Sequence, residues 1–216
     1  MKKIFLDSLN EDTNNSRKKQ GKRALANSEG TLLDLNLEAK KLFKAFYDAK
    51  DDVNNSLALI PVQYRLGSTQ AQLLQCFLAK NLEKYFPNNF RRGKNSRLII
   101  YLNGYVILFK KLNSKGYPMN IKTETVDAIS NQSLTLNLFE NDGYEPILYF
   151  GYEVNRVGDL INPRIIYIDD NVIKFTLSED QFNSVNFIPK KGINKAKSKD
   201  VKPKLKNKDN RGSKVI

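Results

Sequence analysis

Histidine is absent from this chain, and cysteine occurs once, at position 76 of 216 residues. A Cys/His zinc site is thereby excluded, and so is any serine–histidine or cysteine–histidine nucleophile pair. Any metal must be held by carboxylates and carbonyls, which suits magnesium, manganese or calcium. A single cysteine allows no internal disulfide framework, and a reducing compartment is the default expectation. With no histidine to activate it, Cys76 reads as a small buried or half-buried thiol rather than a nucleophile. The eleven glycines form neither a G-x-x-x-x-G-K-[ST] nor a G-x-G-x-x-G string, so no phosphate-cradling loop of those types is present. Long apolar runs are missing as well. None approaches the roughly 18–20 residues of a membrane span. The start, Met1 to Asp7, offers three apolar residues where a secretory segment needs roughly 7–15. The expectation is a cytoplasmic protein with no membrane partner and no cofactor.

Acidic residues are locally scarce too. The chain carries 36 basic and 23 acidic groups, a formal charge of +13. Residues 1–30 hold seven basic and four acidic groups, and residues 188–216 hold eleven and two. The intervening 31–187 hold eighteen and seventeen, so the body is nearly neutral. Its charge is nevertheless sorted. Residues 84–123 carry nine basic groups and no acid, while 124–187 carry three basic and eleven acidic.

What is present reads as one α+β domain over 31–187, between a polar disordered leader (1–30) and a Lys-rich disordered tail (188–216). In the leader, Arg17 to Lys19 with Lys22 and Arg23 read as a solvated charge run or a basic arm for phosphates. Leu35, Ala39, Leu42, Phe43, Phe46 and Tyr47 make one face of a helix over 34–49, broken by Asp51-Asp52 and Asn54-Asn55. Residues 56–67 read as a partly extended connection. Thr69 and Gln72 fit a capping box for a second helix, whose stripe of Leu73, Leu74, Phe77, Leu78, Leu82, Tyr85 and Phe86 is stopped by Pro87. Residues 87–97 read as a basic loop.

The organising stretch is Arg97 to Leu112. Two runs rich in β-branched and aromatic residues flank Asn103-Gly104, the dipeptide that suits a two-residue type I′ turn because both central positions need φ > 0. The arms read as central strands covered on both faces. A turn closing at 103–104 sets Arg97 across from Lys110. The 91–97 loop then lies at the same end of the sheet as Lys110, Lys111 and Lys115. Further on, a short helix begins at Thr123, strands are expected over 133–139 and 146–154, and a hairpin turns around Asp169-Asp170-Asn171. Ser178 with Gln181 caps a last helical turn. The predicted fold is two N-terminal helices packed on a mostly antiparallel sheet of about five strands.

Three stretches, Gly67 to Leu74, Tyr105 to Leu112 with Ser114 to Ile121, and Leu148 to Val154, resemble in this order a loose group of small bacterial proteins. These are encoded on mobile elements beside a helix-turn-helix repressor and a repressor-cleaving type of metallopeptidase. The resemblance covers about residues 65–177 and carries no active-site residue with it. It implies a role in a toxin–antitoxin, phage-regulation or defence operon, with nucleic acid or a protein of the same operon as partner.

From the residues themselves, the acid-free segment has two readings. One is a lysine-edged sheet that resists aggregation. The other is a phosphate-contacting face of Arg91, Arg92, Lys94, Arg97, Lys110, Lys111 and Lys115, with Tyr117, Tyr101 and Tyr105 available for stacking. The function expected is non-catalytic binding of DNA or RNA through non-specific phosphate contacts, or of a protein partner. Self-association of the basic and acidic halves is a further expectation. A metal-dependent nuclease or other nucleic-acid-processing enzyme is the alternative, although Glu153-Val154-Asn155 lacks the lysine of a Glu-x-Lys pattern and no carboxylate lies on the central hairpin.

Overall fold

The computed structural model describes residues 12–134 and 143–184. The leader up to residue 11, residues 135–139 of the strand expected over 133–139, and the Lys-rich tail lie outside the described residues. Residues 12–19 form helix α1. Helix α2 (Ser28–Asp34) follows, its N-terminus capped by Asn27, whose Oδ1 accepts from Gly30 N at 2.6 Å. Helix α3 (Asn36–Ala58) and helix α4 (Thr69–Tyr85) make up the main helical layer. The sheet has six strands in sequential order: β1 (Phe90–Gly93), β2 (Arg97–Leu102), β3 (Tyr105–Lys111), β4 (Ile147–Val154), β5 (Leu160–Asp169) and β6 (Val172–Ser178). Helix α5 (Glu124–Ser130) lies between β3 and β4 in the chain, and α6 (Glu179–Ser184) follows β6. Four of the five strand pairs are antiparallel, and β3–β4 is parallel. The class is α+β as expected, with six strands in place of about five and more helices than two. No helix among the described residues is long and apolar enough to cross a membrane.

The hairpin forms where its turn dipeptide falls. Asn103 and Gly104 have φ of 48° and 84°, and Leu102 pairs with Tyr105, Ile100 with Ile107. Period-two alternation then sends these strands' side chains to opposite faces. Ile100, Ile107, Leu148, Phe150, Ile165 and Tyr167 join Leu42, Phe43, Phe46, Leu74, Leu78 and Leu82 in one core. Phe150 is its centre, with ring centroids 5.2 Å from Phe43 and Phe109 and 5.7 Å from Phe46. On the other face Ile99, Val106, Leu108, Leu112, Tyr149 and Ile166 bury against Ile129 of α5.

Several local expectations are corrected. Helix α3 runs nine residues past the predicted end at 49, through Asp51 to Asn55 and on to Ala58. Val53 is fully buried, and Asp52 pairs with Lys80 of α4 at 3.2 Å, so packing overrides the low helix propensity of Asp and Asn. Tyr47, assigned to the buried face, is exposed and donates to Glu179 Oε2 at 2.7 Å. The capping box at Thr69 does not form. Ser68 is the N-cap and makes no side-chain capping bond. Cys76 is exposed. Part of the 87–97 loop is strand β1, antiparallel to β2. At the other end the expectation holds: Thr123 caps α5 through Val126 N, and Gln181 accepts from Ser178 N at 2.8 Å.

The polar leader differs most where it is described. Arg23 is fully buried, and its Nη1 donates to the carbonyls of Gly143 (3.0 Å) and Glu145 (3.3 Å). Arg17 bonds Asp169 at 2.8 Å, and Lys22 bonds Asp170. The segment is tied to the chain around Gln132 by Arg23 N to Gln132 O at 2.7 Å and Leu134 N to Gly21 O at 2.8 Å. Gln132 is itself fully buried. Its Nε2 donates to Ile147 O (2.9 Å) and Ile168 O (2.7 Å), and its Oε1 accepts from Ile147 N (2.9 Å).

Gln132 thus joins β4 to β5 through bonds buried from solvent. Gln132→Ala should cost about 2–3 kcal/mol by stranding these groups. Calorimetry should show a fall in Tm of roughly 5–10 °C. An unchanged Tm would show that the two strands satisfy each other without it.

Candidate nucleic-acid interface

The acid-free stretch of the sequence becomes β1, β2, β3 and the loops at their lower end. Each predicted cation can now be placed. Phe90 pairs with Ile100 and Arg91 with Ile99, so Arg91 shares the α5 face while Arg92, opposite Leu98, shares the face of α3 and α4. Arg97 lies two residues before Ile99 on β2, and Lys110 two residues after Leu108 on β3, both therefore on the α5 face. The Ile99–Leu108 pairing continued by two residues sets Arg97 against Lys110. Lys111 alternates to the other face, beside Tyr152 of β4. Lys94 occupies the β1–β2 turn, where Asn95 and Ser96 both have positive φ, 59° and 55°. Gln75 of α4 holds that turn by donating to Ser96 O at 2.8 Å.

Lys115 is exposed in the loop that follows β3. Asn113 Oδ1 accepts from the backbone N–H of Lys115 (2.9 Å) and Tyr117 (3.0 Å), which shapes the loop as an Asx turn. Tyr117 packs half-buried against the α5-side core. Tyr101 lies on the same face, whereas Tyr105 is buried on the other, its hydroxyl 3.1 Å from Asp34 Oδ2. Burial and the Asp34 charge push the Tyr105 hydroxyl up to about 12. It is therefore part of the helical core and not a stacking surface.

The structure thus brings Arg91, Lys94, Arg97, Lys110 and Lys115 to the lower part of one sheet face and its rim. It sends Arg92 and Lys111 to the opposite face. Among the described residues none of these seven cations forms an ion pair. Cations elsewhere are treated differently: Arg164 meets Glu153 at 2.6 Å, and Arg17 meets Asp169. Gly93 pairs with Arg97, and Lys110 with Gly151, which in turn pairs with Arg164. Leu112 fills the space over Gly151, where a Cβ would come within 2.5 Å of its side chain. Lys110 thereby has its stem beside an apolar neighbour. Its ammonium is held below the ordinary lysine value, first by burial and then by the Arg97 charge.

The docked Arg17–Asp169 and Lys22–Asp170 contacts were not legible in advance. A basic run at one end and an Asp-Asp turn 150 residues away carry no local signal of each other. Among the described residues no three or more Asp, Glu or Cys side chains lie close enough together to hold a metal ion. The chain matches no protein-family model, curated protein or solved structure.

Lys110 makes a signed stability prediction. Folding disfavours its charged form, so its destabilising effect is full below the lowered pKa and fades as pH rises through that value towards 10.5. Lys110→Met should raise Tm at neutral pH in low salt, and the advantage should shrink at high salt and at alkaline pH. A variant less stable than the parent at every pH would overturn the like-charge account.

Proposed function

We propose that this is a non-catalytic binding protein that grips the phosphate backbone of DNA or RNA through the α5 face of strands β1 to β3. In this reading it acts in the cytoplasm as a regulatory or antitoxin-like component of a mobile-element, prophage or anti-phage system, the role implied by the sequence resemblance. The single observation that carries the reading is the Arg97–Lys110 pair. Two like charges close together at one end of neighbouring strands, half-buried and, among the described residues, without an ion-pair partner, are unfavourable in the free protein. A phosphate between them relieves the repulsion, and each neutralised phosphate releases condensed counterions from the nucleic acid. Arg91 on the same face and Lys94 and Lys115 on its rim extend the contact. Tyr117 supplies a ring that packing already orients, at little entropic cost for stacking.

The face separates this reading from general surface charge. Arg97→Gln with Lys110→Gln should weaken binding of a labelled oligonucleotide by about tenfold or more and reduce the log–log salt slope by about two. Arg92→Gln with Lys111→Gln removes the same charge from the other face and should change little. Fluorescence anisotropy at two or more salt concentrations reads both. Equal losses from the two pairs would reject the assigned face, and no binding by the parent at low salt would reject the function.

A further inference from the structure

A second surface lies where α3, α4 and the β4–β5 loop meet. Leu59, Val62, Tyr64 and Leu66 of the α3–α4 connection, with Val157 of the loop, are between 72 and 85 % exposed. Leu66 and Val157 line one open cleft of about 440 Å³ together with Leu57, Asn54 and Gln70. A domain seldom leaves such a group of large apolar side chains in water without a use for it.

The exposure is built in. Arg65 donates from Nε to Ile60 O at 2.8 Å and from Nη2 to Leu57 O at 2.7 Å, which fixes the connection against the end of α3. Gln70 Nε2 bonds Gly158 O at 2.6 Å and ties α4 to the β4–β5 loop. In that loop Asn155 Oδ1 accepts from Val157 N (3.1 Å) and Asp159 N (2.7 Å). The apolar side chains therefore stand on a rigid frame, and a partner need not order them on binding.

We infer that this cleft docks an acidic amphipathic segment of another protein. Its apolar side chains would seat against Leu57, Leu66 and Val157, and its carboxylates against the cationic rim. The sign follows from the surroundings. No Asp or Glu occurs from Val53 through Leu82. Arg65 lines the cleft and Arg156, beside Val157 in the loop, is exposed; among the described residues that line the cleft Asp159 is the one carboxylate. A second copy of this chain fits less well, because two-fold pairing through the cleft would bring two net-positive rims together. The surface is distinct from the Arg97–Lys110 face and does not depend on the phosphate-binding reading.

The test is selection of a random-peptide display library on the full chain, followed by titration of the enriched peptides made synthetically. The expected sequences combine Leu, Ile or Phe with Asp or Glu. Their affinity should fall about tenfold or more on Leu66→Glu and again on Val157→Glu, and should be unmoved by Arg97→Gln with Lys110→Gln. Both glutamates replace exposed side chains, so Tm should hold. Basic or uncharged consensus peptides, binding that survives both glutamate variants, or no enrichment at all would overturn the assignment. So would concentration-dependent dimerisation of the parent that Leu66→Glu abolishes, which would give the cleft to a second copy.

Discussion

The parallel pairing of β3 with β4 is the constraint on which the rest of the structure depends. Two parallel neighbours cannot be joined by a tight turn, so the chain must leave the sheet after Lys111 and return at Ile147. The excursion carries α5 over one face, where Ile129 buries with Val106, Leu108 and Tyr149. It also carries Gln132 to the ends of β4 and β5 and gives Arg23 a carbonyl-lined place. Helices α3 and α4 cover the opposite face. Both faces of the central strands are therefore dry, which explains why their sequences are apolar without interruption.

The same geometry explains the charge pattern. Acidic side chains of the C-terminal half are drawn into ion pairs: Asp169 with Arg17, Asp170 with Lys22, Glu153 with Arg164. The Lys22 contact holds the Asp170 carboxyl below its usual range. Among the described residues the cations of β1 to β3 receive no such partner, and the three strands and their loops contain no carboxylate. Arg97 and Lys110 then lie near each other on the face that carries Ile99, Leu108 and Leu112. That arrangement is unfavourable in isolation, by burial and by the like charge. The second surface, around Leu66 and Val157, is built from the opposite chemistry and is held just as firmly.

Residues with strong local grammar behaved as read. Asn103-Gly104 made its turn and set the register of β2 against β3, and Thr123 capped its helix. Errors arose where a distant partner decided. Asp51 to Asn55 look like a helix end, yet Lys80 and the burial of Val53 keep the turn closed. Phe90-Arg91-Arg92-Gly93 has no apolar alternation of its own and becomes a strand only because β2 offers it an edge. Arg17 to Arg23 look like a solvated run, and only Asp169, Asp170 and the carbonyls near residue 145 show otherwise.

The amino-acid sequence by itself determined the missing chemistry, the α+β class, the central hairpin and the existence of an acid-free segment, because these follow from composition, spacing and turn preferences within a few residues. Which cations share a face, which are neutralised and where apolar side chains remain uncovered were decided by the tertiary structure alone. Those properties depend on strand alternation combined with pairing between segments tens of residues apart, and no local pattern encodes who the neighbour will be.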